Sequence, residues 1–257
     1  MSKVSDVLNF LTEFAPIEKA LDFDNVGLLL GKSNKICNRI ILTLDISSDV
    51  IAEAADKKAD LIISHHPLIF NPIKRFTYDE PESKNIIDLI KNEISVISMH
   101  TNLDAAEEGV NKTLAHKLGM NPEVPLNIET NIGIVGSYPK CRLEDFLKKV
   151  SLQLGCEALR YHKSQEYVER LAICGGAGGD ELLLAKNLDC DTYLTSEIKH
   201  HVWIKAKELK INLIDAGHFE TENPVTFVLE KKLKEEFSDI DIFVAHSNVS
   251  PYSYFIK

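Results

Sequence analysis

Two adjacent imidazoles, His65 and His66, stand between the apolar run "DLIIS" and Pro67. Three further clusters of potential ligands follow: His100 with Asp104, His200 with His201, and His218 with Glu222. Neutral imidazole and carboxylate together make the donor set of zinc, manganese and iron sites. His100 and Asp104 are four positions apart, as are His218 and Glu222, so a helical turn would put each pair on one face. Two histidines, two carboxylates and one further histidine drawn from these clusters exceed the needs of one four-coordinate ion and suit two. Carboxylates can bridge a pair of metals about 3.5–4 Å apart, and such a pair activates water. Each cluster also has a plain structural reading. A histidine doublet serves as a hydrogen-bonded loop, Asp104 as a helix N-cap, His218 as the lining of a turn, and Glu222 as a charge in a first helical turn. What favours the metal reading is that all of the clusters fall at strand ends.

Those strand ends come from a repeated alternation. "NRIILTLDI" (38–46) is a near-continuous apolar run, as expected of a strand buried on both faces. Ser47-Ser48 and "DVIAEAADKKA" read as a capped helix, "DLIIS" (60–64) as the next strand, "SKNIIDLIKNE" (83–93) as a helix and "ISVISM" (94–99) as a third strand. The second half repeats the plan with strands at 169–176, 191–196 and 211–216. Such alternation predicts an α/β fold of two similar βαβ-type lobes with parallel strands and crossover helices. Ligands of open α/β sheets bind beyond the carboxyl ends of the strands, where these histidines lie. We place the first lobe at 1–125, joined by a C-terminal strand within 239–257, and the second at 126–238. The prolines and glycines of "NPEVPLNIETNIGIVGSYP" suit that boundary and an edge strand after it. "CGGAGGD" (174–180) follows a strand and offers backbone N–H groups to a phosphate, but it fits neither GxGxxG nor a Walker loop; a tight turn is its alternative reading.

Bulk composition narrows the function classes. The 257 residues carry a formal net charge of -10, which argues against a nucleic-acid-binding surface or an anionic-membrane partner. The N-terminus has no long apolar signal-peptide core, and no apolar run approaches the roughly 20 residues of a membrane helix. Five scattered cysteines without a CxxC pair read as reduced thiols of a cytoplasmic protein and argue against a cysteine-based zinc site.

"SHHPLIF", "HTNLDAAEEGVN" and "DAGHFETE", with "DNVGL" upstream and "TSEIKHH" between, resemble the family of dinuclear-metal proteins named GTP cyclohydrolase 1 type 2 homologs, the NGG-interacting-factor-like family. The resemblance runs in order over nearly the whole chain. It implies that His65, His66, Asp104, His218 and Glu222 ligate two divalent metal ions per chain (zinc, manganese, iron or nickel), with Glu222 bridging them in a cleft between the lobes. It also implies a homohexamer built as a trimer of dimers. Phe23 stands where a tryptophan is common, and the domain that some relatives insert between the lobes is absent. The implied activity is metal-dependent hydrolysis of a small-molecule substrate, with GTP ring opening and formate release as the reaction. In that reading His100 or His201 moves protons. A phosphoesterase, or a ring-shaped scaffold whose ions do not turn over a substrate, are the alternatives.

Overall fold

The computed structural model of the chain describes residues 1–255. These fall into two compact units, one of residues 1–106 with 226–249, the other of residues 107–225 with the C-terminal segment from 250. In the first unit the order is α1 (Val4–Phe14), β1 (Gly27–Leu30), β2 (Arg39–Thr43), α2 (Ser48–Asp56), β3 (Leu61–Ser64), α3 (Pro81–Lys91), β4 (Ser95–Ser98) and α4 (Thr101–Asp104). The second continues with α5 (Val110–Leu118), β5 (Asn121–Pro125), β6 (Ile134–Arg142), α6 (Leu143–Leu154), β7 (Arg160–His162), β8 (Tyr167–Ile173), α7 (Leu182–Asn187), β9 (Thr192–Thr195), α8 (His200–Leu209), β10 (Asn212–Asp215) and α9 (His218–Glu222). Helix α10 (Pro224–Glu236) returns the chain to the first unit, which β11 (Asp241–Val244) completes.

The first sheet has the order β1-β4-β3-β2-β11. β2, β3, β4 and β11 run parallel, while β1 closes one edge antiparallel to β4. All four residues of β3 and of β4 are buried, their serines included, as central strands covered on both faces are. Ile41, Ile62 and Val96 of the sheet pack with Val50, Ile51 and Ala54 of α2 and Leu89 of α3. Ser47 caps α2 by accepting a bond from the Val50 amide at 3.3 Å. The C-terminal strand spans only Asp241–Val244 of the expected 239–257, and the last two positions of that range lie outside the described residues.

The second sheet has the order β5-β6-β8-β9-β10-β7, with β8, β9 and β10 parallel and the other pairings antiparallel. Its two faces can be read residue by residue. Leu171, Ile173, Leu194 and Ile214 pack with Phe146 and Val150 of α6 on one side. Their neighbours Ala172, Tyr193 and Leu213 pack with Leu182 of α7 and Val202 of α8 on the other. This is the period of two that a strand imposes, with helices covering both faces. The edge strand expected after the prolines, β6, is instead an inner strand. β5 lies outside it, and Pro122 and Pro125 sit on that edge, where a missing N–H costs no ladder bond. Each unit therefore carries the predicted β-α-β-α-β run; antiparallel strands finish both margins of the second sheet and one margin of the first, whose other margin is the parallel β11. Among the described residues no helix is long and apolar enough to cross a membrane.

Candidate functional site

In the first unit the histidine doublet begins where β3 leaves the sheet. The His65 and His66 amides still donate to the Thr43 and Leu44 carbonyls, at 3.2 and 3.0 Å, so the doublet prolongs the ladder by two residues. Ser64 Oγ braces the bend by bonding to the His66 carbonyl at 2.7 Å. One strand over, β4 ends before His100, whose carbonyl accepts the Leu103 and Asp104 amides and so opens the single turn of α4. Adjacent parallel strands thus deliver His65, His66 and His100 to one place, with one ring nitrogen of each within 4.8 Å of the others. Asp104 Oδ1 lies 3.7 Å from His65 Nε2. The His65 side chain is only 1% exposed.

Every imidazole here is held by its Nδ1. His65 Nδ1 donates to the Met99 carbonyl at 2.9 Å, His66 Nδ1 to Asp45 Oδ1 at 2.7 Å, and His100 Nδ1 to Asp24 Oδ1 at 2.8 Å. Carbonyl and carboxylate oxygens only accept, so Nδ1 carries the proton and the neutral ring has its lone pair on Nε2. That is how metal-binding histidines are oriented in proteins. Asp24 is the strongest of these anchors. Its side chain is fully buried, and besides His100 it accepts from the Asn25 and Thr101 amides and the Thr101 hydroxyl. Burial alone would raise its pKa, but the bonds from His100 and Thr101 outweigh it and hold the carboxyl well below the usual range.

The second unit contributes a smaller set. β10 runs through Ala216 to Gly217, and α9 then places His218 and Glu222 one turn apart, with His218 Nε2 at 3.0 Å from Glu222 Oε2. His218 Nδ1 is engaged by Glu197 Oε1 at 3.0 Å, repeating the pattern of the first unit. The Glu222 carboxylate is 5% exposed, a placement that a carboxylate tolerates only with strong partners.

The glycine loop after β8 explains part of this geometry. Gly176 has φ +64°, and a Cβ there would fall 2.0 Å from Glu222 Oε1 and 3.2 Å from His218 Nε2. A glycine is what lets the backbone approach this His–Glu pair so closely. The amides of the same loop are turned inward. Gly175 N donates to Asn111 Oδ1, Gly176 N to Thr221 Oγ1 and Gly178 N to Thr195 Oγ1. "CGGAGGD" is therefore a tight turn packed on α9, since three of the donors that a phosphate would need are already used.

The expected residues divide as follows. His65, His66, His100 and Asp104 come together in the first unit, and His218 with Glu222 in the second. His200 and His201 begin α8 on its exposed side and belong to none of the candidate ligand groups among the described residues. Sequence reasoning missed Asp24, Asp45, Glu197 and Gly176. Each lies inside a run quoted above, "DNVGL", "NRIILTLDI", "TSEIKHH" and "CGGAGGD", but acts through contacts distant in sequence that those runs do not reveal. The residues fit divalent metal ions on their own chemistry: imidazoles with a fixed tautomer, carboxylates beside them, and a glycine that makes room for one of those carboxylates.

A family model described as Duf34/NIF3 (NGG1p interacting factor 3) matches residues 2–251. A Clostridium perfringens protein named "GTP cyclohydrolase 1 type 2 homolog" is 35% identical over 98% of this chain and 99% of its own length. A Helicobacter pylori protein named "GTP cyclohydrolase 1 type 2" is 34% identical over 91% of this chain and 92% of its own. Among solved structures, the Staphylococcus aureus hypothetical protein SA1388 superposes with a TM-score of 0.92 at 28% identity, covering 98% of this chain and 99% of that one. Reduced HcgD from Methanocaldococcus jannaschii does so at 0.83 and 30% identity, over 95% and 97%.

Proposed function

The chain belongs to the Duf34/NIF3 family, and on that premise we propose that it is a divalent-metal-dependent hydrolase acting on GTP. The observation that carries this reading is the common posture of the imidazoles. His65, His66, His100 and His218 each have Nδ1 engaged by an oxygen, which turns Nε2 into the ligating or proton-carrying atom. In the proposal His65, His66, Asp104, His218 and Glu222 are the residues that would hold two divalent ions. Bound ions would supply Lewis acidity and lower the pKa of a coordinated water toward neutrality.

The chain's own residues supply orientation and proton transfer. His100 Nε2 accepts a proton from the attacking water, while the buried Asp24 carboxylate steadies the imidazolium that results. Water adds across the N7=C8 bond of the guanine ring; the proton held by His100 goes to N9 as the C8–N9 bond breaks, and the C8 hydroxyl proton passes to N7 as C8 becomes a formyl carbonyl. A second water cleaves the remaining C8–N7 bond, its hydroxyl going to C8, which leaves as formic acid and ionises to formate, and its proton to N7, which ends as an amine. Two waters are consumed and no oxidant is needed. A homohexamer, a trimer of dimers, belongs to the same proposal.

The test is formate release from GTP by protein loaded with manganese, iron or zinc, beside an Asp104→Ala control and a panel of phosphoesters. We expect formate with at least one metal and none from the control. No formate with any metal removes the ring-opening reaction, and turnover of a phosphoester in its place would redirect the assignment.

A further inference from the structure

Phe23 and Phe70 are large apolar side chains that the fold leaves in solvent, 63% and 47% exposed. Their rings meet edge to face, with centroids 6.1 Å apart and planes at 65°. Phe70 in turn lies 6.2 Å from the His100 ring, which is 5.2 Å from His65 and 5.6 Å from His66. The five rings form a continuous series that runs from open solvent to the candidate ligands. Burial of the two phenyls would be the ordinary outcome of folding. Here the backbone holds them out.

That backbone is firmly tied. Just before Phe23, the Leu21 amide donates to Thr101 Oγ1 at 2.9 Å; just after it, the Asp24 amide donates to the Leu21 carbonyl and the Asp24 carboxylate binds His100 and Thr101. Asn25 Nδ2 donates to the carbonyl of Ile69, the residue before Phe70, at 2.7 Å. The "FDN" tripeptide thus joins the loop that bears His65 and His66 to the turn that bears His100 and Asp104, and fixes both phenyls relative to them. Rigidly presented aromatic faces beside a polar reacting centre are what a site for a flat ligand requires.

We infer that Phe23 and Phe70 form a stacking platform for a planar aromatic ring of the substrate, which they hold beside His100. The inference rests on the reading that this histidine cluster is the reacting centre, and it narrows the substrate class to compounds that carry a flat ring, such as a nucleobase.

Calorimetry on the full-length, manganese-loaded protein tests it, with guanosine, GTP and inorganic tripolyphosphate as probes. Base stacking on one aromatic side chain is worth about tenfold in affinity. Phe23→Ala and Phe70→Ala should therefore each weaken guanosine and GTP binding by about that factor, and Phe23→Trp should retain it. Metal content, melting temperature and oligomeric mass should stay at their wild-type values. Unchanged nucleoside affinity in both alanine variants overturns the platform, as does an effect confined to oligomeric mass, which would make the pair a contact between copies. Failure of guanosine to bind the wild type also overturns it. The two readings separate cleanly. Phenylalanine-dependent binding without formate release removes the reaction and leaves the platform; formate release indifferent to both alanines does the reverse.

Discussion

Gly176→Ala isolates the close approach on which the second half-set depends. Alanine at φ +64° costs about 1–2 kcal/mol in backbone strain wherever it occurs. The methyl would also sit 2.0 Å from Glu222 Oε1, and ordinary contact begins at 3.4 Å, so the carboxylate must retreat by more than an ångström. Ligand distances in metal sites tolerate about 0.2 Å. The steric effect therefore exceeds the tolerance several-fold, and divalent-metal affinity should fall by at least about tenfold, the scale on which displaced supporting groups act. Gly155→Ala is the matched control. It has nearly the same backbone, φ +73°, at the end of α6, with nothing within 4 Å of the added methyl. Both variants should lose a few degrees of melting temperature, about what 1–2 kcal/mol produces in a chain of this size. Only Gly176→Ala should lose metal, read by titration calorimetry and by metal analysis of the purified protein. Equal metal affinity in the two variants would refute the reasoning, because strain alone would then account for everything observed.

Glu53 gives the pH prediction. Burial raises its pKa, but bonds from Ser247, His246 and Lys57 overcome that and bring it from 4.5 to about 2. A depressed carboxylate pKa stabilises above the unfolded value, so this contribution is complete above pH 4.5 and is lost as pH falls towards 2. Allowing for screening by nearby water, Glu53→Gln should cost about 1–2 kcal/mol in urea unfolding at pH 6, and the gap should narrow by pH 3; a gap that does not vary with pH contradicts this account. For catalysis, His100→Ala should lower kcat by about 10²–10⁴-fold, the usual worth of a positioned proton carrier, with metal content retained. His201→Ala, on the exposed start of α8, should leave kcat unchanged, and a comparable loss there would move the proton-transfer role to the second unit.

Much of the architecture was legible in the chain because its signals are local. The centres of β2, β3 and β4, "IIL", "LII" and "VI", are apolar and wholly buried, as strands covered on both faces allow. The four-residue spacing of His218 and Glu222 needs nothing beyond one helical turn to become a pair. Which strands close the sheet edges was not legible. The antiparallel β1, and β5 lying outside β6, depend on which hydrogen-bonding edge remains open after the parallel core has formed. The anchors of the imidazoles were hidden for a similar reason. Asp24 lies 76 residues from His100, and Asp45 lies 21 from His66, so neither bond leaves a periodic trace. Residue type and order determined what chemistry this protein can hold. Tertiary packing decided which nitrogen of each histidine faces outward, and why one loop of glycines has room for a carboxylate, because those outcomes depend on distances between segments that the sequence keeps far apart.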